Sequence, residues 1–264
     1  MNKVIWAIIL SVATAAGVLF LPAFIFKISA LFLIIGSLVE YSRLVFSVST
    51  QRIITIVVGS VVAVALIFVW PENQVLFVVF AGAVFILALL FMWQTKVLEG
   101  VLTNLANSVF AVFYLVLGLA MWCWLRDLPQ GQAWVLMTLA GSCLSDSGAY
   151  IVGKSFGKHK FAPMVSPNKT IEGFGGALLG SLLGVFIVHA IFIKTVFWPH
   201  LLILAVIIWL VSAMGDLVES LIKRSLAVKD SGDLIPGHGG LLDRLDALVF
   251  TGPAVFVYVK NIIH

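Results

Sequence analysis

The sequence predicts an all-α polytopic integral membrane protein with about nine transmembrane helices. Hydrophobic residues make up 62% of the 264 residues and charged residues only 11%, whereas soluble domains carry about 25% charged residues. Apolar runs of about 18 residues or more recur from one end of the chain to the other, and each is long enough to cross a bilayer as a helix. This composition excludes a soluble globular protein.

The apolar runs place the spans at about residues 4–26, 28–46, 52–70, 74–93, 107–125, 134–152, 173–193, 200–221 and 246–263. Each boundary is good to about four residues. The first two spans are crowded around Pro22, and a pair of shorter, tilted helices is the alternative there.

Acidic residues divide the chain into two predicted regions. Eight of the twelve lie between Asp146 and Asp246, and the first 130 residues carry only four, of which Glu40 lies within a span. We therefore expect residues 1–130 to be a scaffold of about five helices. Residues 131–264 are expected to be a catalytic region of about four helices with two polar loops.

The basic residues predict the orientation of the chain. Loops after even-numbered spans hold 11 Lys and Arg residues, and loops after odd-numbered spans hold three. Because cytoplasmic loops are enriched in Lys and Arg, the even loops, including both large polar loops, face the cytoplasm. The net charge of +4 then lines one membrane face, where it would attract lipid head groups and nucleotides; it does not indicate nucleic-acid binding.

The end of the eighth predicted span carries a polar helical face. Its members, spaced at i, i+3, i+4, i+7 and i+8, are Asp216, Glu219, Ser220, Lys223 and Arg224. A helix that simply leaves the membrane would explain the two basic residues, but not Asp216, which still follows an apolar run. A carboxylate at the membrane centre costs about 2.5–3.5 kcal/mol, so it is normally paired or functional.

A glycine-rich segment and two acids follow. The run from Pro236 to Gly240 contains three Gly and His238, which excludes a helix and lets backbone N–H groups approach an anion. Asp243 and Asp246 then stand at i, i+3 at the start of the ninth span. Asp216 and Asp243 could hold a Mg²⁺ ion, which prefers carboxylate and phosphate oxygens. The alternative, an acid that only stabilises a helix N-terminus, is strongest for Asp246.

A third polar stretch follows the sixth span. Asp146 lies inside that span, and the loop after it is rich in Lys. The run Ser166–Thr170, around a turn-forming Pro167, makes Lys169 the most specific of these basic residues; Lys158 and Lys160 are explained equally well as lipid head-group contacts.

Gly148–Ser155 matches the Walker A spacing, but its intervening residues are bulky and lie in a membrane helix, so we do not expect a P-loop.

The region from residue 220 to residue 246 resembles the signature of the phosphatidate cytidylyltransferases, also called CDP-diacylglycerol synthases. "DSGAYIVGKSFGK" and "SPNKTIEG" upstream are also similar to motifs of that family, and the resemblance covers about the last 120 residues. The matching positions are Ser220, Lys223, Arg224, Lys229, Asp230, Gly232, Pro236, His238, Gly239, Gly240, Asp243, Arg244 and Asp246.

The resemblance implies that CTP and phosphatidic acid react to give CDP-diacylglycerol and pyrophosphate. It implies a homodimer in the inner (plasma) membrane with the site on the cytoplasmic side, and a second cation such as K⁺ beside Mg²⁺. Asp216 and Asp243 would hold the Mg²⁺. The phosphate contacts would come from Lys223, Arg224, Lys229 and Arg244. The remaining substrate-binding residues would be Asp146, Lys169, Ser220, His238, Gly239, Gly240 and Asp246. We expect a polar, funnel-like cavity among spans six to nine.

Two alternatives stay open from the residues. A CTP-dependent lipid kinase would use similar groups but transfer the γ-phosphate. A cation transporter would line its path with the intramembrane carboxylates, although the concentration of charge in one half of the chain contrasts with the two-fold repeats common in transporters.

Overall fold

A computed structural model describes residues 14–68, 73–95, 97–232 and 239–263. Eight helices in this part of the chain are long and apolar enough to cross a membrane, which confirms an all-α polytopic membrane protein. Residues 4–13 of the first predicted span, residues 4–26, fall outside the described residues. Residues 14–20 are helical, and the next helix begins at Ala23 after an interruption at Leu21 and Pro22.

The first four long helices follow the apolar runs. They are α1 (Ala23–Val45), α2 (Ser49–Phe68), α3 (Asn73–Gln94) and α4 (Val101–Asp127), the last with a π-helical stretch at Val112–Leu117. Helix α4 starts at Val101, earlier than the predicted residue 107. Its first turns contain polar residues, and the sequence alone suggested a loop there. One of them, Ser108, is buried and lies 2.8 Å from the Thr55 hydroxyl.

The second half of the chain adds a small sheet to its helices. The elements are α5 (Gly131–Phe156), β1 (Lys160–Ala162), β2 (Ser166–Thr170), α6 (Ile171–Phe192), α7 (Trp198–Ser225), α8 (Leu242–Leu245) and α9 (Leu248–Tyr258), which ends in a π-helical turn at Val259–Ile263. Helix α8, helix α9 and this turn together make up the eighth of the long apolar helices, Leu242–Ile263.

The basic loop after α5 is a β-hairpin, which the sequence analysis did not predict. Strands β1 and β2 are antiparallel, with Lys160 opposite Thr170. The prediction that Pro167 forms a turn is wrong, because Pro167 lies within β2 and the turn is formed by residues 163–165. A two-stranded sheet has only edge strands, and these tolerate a residue without an N–H group.

Glycines allow α5 and α6 to pack backbone against backbone. Along α6, Gly176, Gly180 and Gly184 recur every four residues and so share one face. A Cβ atom at Gly180 would lie 1.9 Å from the carbonyl oxygen of Leu144, so no larger residue fits. Small residues at this spacing are typical of close helix pairs in membranes. The contact fixes α5 against the helix that follows the hairpin.

The described residues form two compact units. The first comprises residues 14–21, 125–229 and 243–263, and the second comprises residues 22–68, 73–95, 97–124, 230–232 and 239–242. In the second unit, Leu38 of α1 packs against Gly59 of α2, and the indole N–H of Trp124 donates to the Leu66 carbonyl oxygen at 2.8 Å. The division of the chain into a scaffold (1–130) and a catalytic region (131–264) concerns function and stays a prediction.

Candidate functional site

The polar face of α7 carries a first cluster around Asp216. The ammonium of Lys169, near the end of β2, lies 2.8 Å from one Asp216 carboxylate oxygen, and it also donates to the Ala213 carbonyl oxygen at 3.3 Å. The Ser220 hydroxyl donates to the other Asp216 oxygen at 3.3 Å. The hairpin thus brings a cation to an acid that lies in a membrane-spanning helix.

A second cluster lies one helical turn further along α7. The Lys223 ammonium lies 2.6 Å from Glu219 Oε2 and 2.5 Å from Asp243 Oδ1. The side chains of Lys223, Glu219 and Asp243 are 13%, 1% and 11% exposed, so this is a buried ion triad. Among the described residues, Glu219 Oε1 has no hydrogen-bond partner although it is buried.

Asp146 and Asp246 complete the acidic surroundings of Asp216. Both interact electrostatically with Asp216. At Gly215, an added Cβ would lie 2.7 Å from the Asp246 carbonyl oxygen, so α7 closely approaches the turn between α8 and α9. Asp246 lies in that turn and accepts a hydrogen bond from the Ala247 N–H at 2.7 Å. Asp243 of α8 pairs with Lys223, and Asp246 also interacts electrostatically with Lys223, so both acids face the same part of α7.

A cavity of about 540 Å³ opens beside the first cluster, within the range of small-molecule sites. Its lining residues belong to α5, the hairpin, α6 and α7, which correspond to predicted spans six to eight and the loop between them. The polar side chains of this lining come from Ser145, Asp146, Tyr150, Lys154, Ser166, Asn168, Lys169, Thr170 and Asp216. Phe161 and Phe174, whose rings stack with centroids 4.9 Å apart, contribute an aromatic wall.

The remaining predicted site residues differ in their exposure and in their backbone conformation. Arg224 is exposed, and its Nε donates to the Val165 carbonyl oxygen in the hairpin turn at 3.5 Å. Lys229 and Arg244 are also exposed. Gly239 has a φ of 78°, a conformation that favours glycine, and Gly240 is buried. His238 lies outside the described residues.

Two buried acids that form ion pairs or hydrogen bonds in the structure, Glu219 and Glu40, were not among the predicted site residues. Glu219 was noted only as a member of the α7 polar face, although its i, i+4 spacing to Lys223 was a usable signal. Glu40 was noted only as an acid within a span. The high cost of a carboxylate in a membrane helix was the available signal for Glu40, but its partners lie far away in the sequence.

The Walker A-like run is helical, as expected. Residues Gly148–Ser155 belong to α5, and both glycines have packing roles. A Cβ atom at Gly148 would lie 2.3 Å from the Gly176 carbonyl oxygen, and one at Gly153 would lie 3.1 Å from the Thr170 hydroxyl. The glycine spacing therefore reflects contacts of α5 with β2 and α6.

Comparison with known protein families shows the family to which the chain belongs. A model of the cytidylyltransferase family matches residues 1–262. The chain belongs to the cytidylyltransferase family. This confirms the resemblance inferred from residues 220–246.

Curated relatives of this cytidylyltransferase-family chain include three bacterial proteins, each named phosphatidate cytidylyltransferase. The protein from Staphylococcus saprophyticus is 44% identical over 135 residues, covering 50% of this chain and 51% of the relative. The Bacillus subtilis protein is 41% identical over 133 residues, covering 50% and 49%, respectively. The Synechocystis protein is 41% identical over 146 residues, covering 52% and 47%. The chain thus spans about half the length of the curated relatives that it matches.

The donor set of this cytidylyltransferase-family site fits a Mg²⁺ ion bound jointly with substrate. Five carboxylates lie around two ammonium groups. The ammonium groups belong to Lys169 and Lys223, and the carboxylates belong to Asp146, Asp216, Glu219, Asp243 and Asp246. Within the described residues, no three Asp, Glu, His or Cys side chains converge closely enough to bind a metal alone. Mg²⁺ sites usually need only one or two carboxylates, with substrate phosphates and water supplying the other oxygens.

Proposed function

We propose that this protein transfers the cytidylyl group of CTP to phosphatidic acid. A phosphate oxygen of phosphatidic acid forms a bond to the α-phosphorus of CTP. The bond from that phosphorus to the oxygen bridging the α- and β-phosphates breaks, and pyrophosphate leaves. The products are CDP-diacylglycerol and pyrophosphate. The nucleophile is already an anion, so the reaction needs no base to activate it.

The observation that carries this proposal is the pair of lysine–carboxylate clusters on one face of a membrane-spanning helix, α7. The chief obstacle in the reaction is the repulsion between two anionic substrates, and cations held in a low-dielectric site offset it. Asp216 and Asp243 would hold Mg²⁺, which, when bound, neutralises phosphate charge and favours departure of pyrophosphate. Lys169 and Lys223 lie within hydrogen-bond distance of those two acids.

The remaining residues receive roles by their chemistry and by family resemblance. The guanidinium and ammonium groups of Arg224, Lys229 and Arg244 are exposed and are assigned to the phosphates of the substrates. The further substrate-binding residues are Asp146, Lys169, Ser220, His238, Gly239, Gly240 and Asp246. Lys223 contributes to catalysis with Asp216 and Asp243.

The proposal extends to location and assembly. A water-soluble nucleotide and a lipid meet most easily at a membrane surface, and the excess of basic residues in the even-numbered loops supports a cytoplasmic site. We place the protein in the inner (plasma) membrane of the cell, with Mg²⁺ and a second cation such as K⁺ as cofactors. A homodimer is part of the same proposal and rests on the family resemblance.

Labelled CTP tests the reaction on the purified protein in phosphatidic acid-containing detergent micelles. We expect label at the α-phosphate to appear in the lipid product, and label at the γ-phosphate to be released as pyrophosphate. Removal of Mg²⁺ with a chelator should abolish the transfer. Lipid carrying the γ-label would instead indicate a CTP-dependent lipid kinase. Absence of both labels from lipid, combined with cation flux in proteoliposomes, would indicate a transporter.

A further inference from the structure

The buried acid Glu40 of α1 has no role in the reaction described so far. We propose that Glu40 is a positioning residue that ties Ser231 to Leu241 and Leu242 and so fixes the neighbouring Gly239 and Gly240 where CTP binds. This inference rests on the proposed function, because Gly239 and Gly240 are among the residues assigned to substrate binding.

The carboxylate of Glu40 binds both ends of the 231–242 segment. The Ser231 hydroxyl donates to Oε1 at 2.6 Å, and the backbone N–H groups of Leu241 and Leu242 donate to Oε2 at 2.7 and 3.0 Å. Glu40 is 9% exposed and Ser231 is 4% exposed. Hydrogen bonds to a charged acceptor contribute more than those between neutral groups. One side chain therefore connects two chain positions that lie about ten residues apart.

Gly232 and Gly240 lie so close to this carboxylate that a side chain at either position would collide with it. A Cβ atom at Gly240 would lie 1.5 Å from Glu40 Oε1, and one at Gly232 would lie 2.5 Å from the same oxygen. On α1 itself, a Cβ at Gly36 would lie 2.8 Å from the Leu241 side chain. Three glycines thus make room for the contact, one on α1 and two on the segment.

The donors identify Glu40 as a positioning residue. All three are groups of the protein itself, and the two N–H groups stand at the start of α8, where a short helix leaves its first amides without intrahelical partners. Leu242 directly precedes Asp243 in the chain, one of the two acids assigned to Mg²⁺. A carboxylate that only stabilised the start of α8 would need no contact with Ser231, so the second attachment point requires a separate explanation.

Substitution Glu40→Gln tests this role, because it keeps the size of the side chain but removes the charge and one acceptor oxygen. The uncharged amide oxygen would be a weaker acceptor for the Leu241 and Leu242 N–H groups, and the amide N–H₂ would require the Ser231 hydroxyl to accept instead of donate. We expect the KM for CTP to rise about tenfold or more, in line with the loss of one charge-assisted hydrogen bond. The KM for phosphatidic acid should stay within about twofold. A merely structural role would lower the active fraction, and therefore kcat, and leave both KM values unchanged.

The matched control is Ser108→Ala. It removes another buried hydrogen bond of the same compact unit, the 2.8 Å contact between Ser108 and Thr55, without touching the 231–242 segment. We expect it to lower the thermal unfolding temperature and to leave the KM for CTP unchanged. An equal rise in this KM for Ser108→Ala would overturn the assignment.

A double-mutant cycle tests the contact itself. Gly232→Ala should weaken CTP binding in the parent protein, because its new methyl group meets the Glu40 carboxylate. In a Glu40→Ala background the methyl group finds space, so Gly232→Ala should add little further loss. Contacting residues show such non-additive effects, whereas separated sites usually add. Fully additive losses would refute a direct contact.

Hydrogen exchange separates failure of this inference from failure of the proposed function. The amides of Leu241 and Leu242 should exchange faster in Glu40→Gln than in the parent protein, whether or not CTP is turned over. Unchanged exchange at both amides would overturn the Glu40 contact. Absence of α-label transfer by the parent protein, with the exchange difference present, would instead overturn the proposed reaction and with it the catalytic purpose of the contact.

Discussion

The buried triad at Lys223 predicts a large loss of stability when its single cation is removed. In Lys223→Met, Glu219 and Asp243 would lose the ammonium that lies 2.6 and 2.5 Å away. Their side chains are 1% and 11% exposed, so water compensates little. Removing one partner of a buried ion pair costs about 3–5 kcal/mol. At about 2–4 °C per kcal/mol for a chain of about this size, we expect the unfolding temperature to fall by about 10 °C.

A second substitution tests whether the lost charge compensation causes the fall in unfolding temperature. Adding Glu219→Gln to Lys223→Met removes the charge of one of the two carboxylates that lose the ammonium, and the unfolding temperature should recover by roughly half of the loss. The measurement is thermal unfolding in detergent at neutral pH, followed by circular dichroism. Lys158→Met serves as the control because Lys158 is exposed, and its effect should stay within about 0.5 kcal/mol.

Two results would contradict this account of the triad. Lys223→Met could unfold at the parent temperature, which would mean that the carboxylates find other compensation. Alternatively, Glu219→Gln could lower the unfolding temperature of Lys223→Met further, which would mean that packing or a lost acceptor, and not charge, is responsible. Activity is not the readout in this experiment, because Lys223 is also assigned to catalysis.

Three further predictions follow from single contacts. Asp243→Asn should abolish cytidylyl transfer and leave the unfolding temperature close to that of the parent, since the amide oxygen still accepts from the lysine; retained Mg²⁺-dependent activity would contradict the metal assignment. Gly180→Ala should destabilise the protein because its Cβ meets a backbone oxygen, whereas at Gly175 a Cβ would meet no heavy atom of the described residues within 4 Å. Gly175→Ala should therefore be neutral or stabilising by up to about 1 kcal/mol. Lys154→Ala should leave CTP binding measurable by calorimetry, because its glycine run is helical; complete loss of binding would restore the P-loop hypothesis.

Long apolar runs made most helices predictable, because crossing a bilayer requires both length and hydrophobicity. The sixth predicted span, 134–152, corresponds to Gly131–Phe156, and the eighth, 200–221, corresponds to Trp198–Ser225. The hairpin had no comparable signal, since its strands are three and five residues long and polar. The two-residue turn at Asp246 and Ala247, between α8 and α9, also had no signal in the helical periodicity.

The partners of the polar residues were less predictable than the residues themselves. The spacing on α7 predicted a functional role for Asp216 and Lys223, and the structure places both in ion clusters. Spacing alone could not show that Lys169 of the hairpin pairs with Asp216, or that Lys223 reaches an acid 20 positions away. Glu40 illustrates the limit most clearly, because its hydrogen-bond partners are 191 to 202 positions away.

Glu40 differs from Asp216 and Asp243 in how its charge is compensated, and this difference matches the positioning role proposed for Glu40 and the metal-binding role proposed for the other two acids. Glu40 is held by neutral donors, a hydroxyl and two backbone N–H groups. These groups carry no charge, so they do not act as counterions for an anionic substrate. Asp216 and Asp243 are held by lysine ammonium groups, which phosphates attract equally well. A bound phosphate can therefore take over a lysine from Asp216 or Asp243, provided that another cation compensates the acid released. The same arrangement would let a site rich in carboxylates accept the two anions of the proposed reaction, and chelation of Mg²⁺ should abolish transfer while leaving the contacts of Glu40 intact.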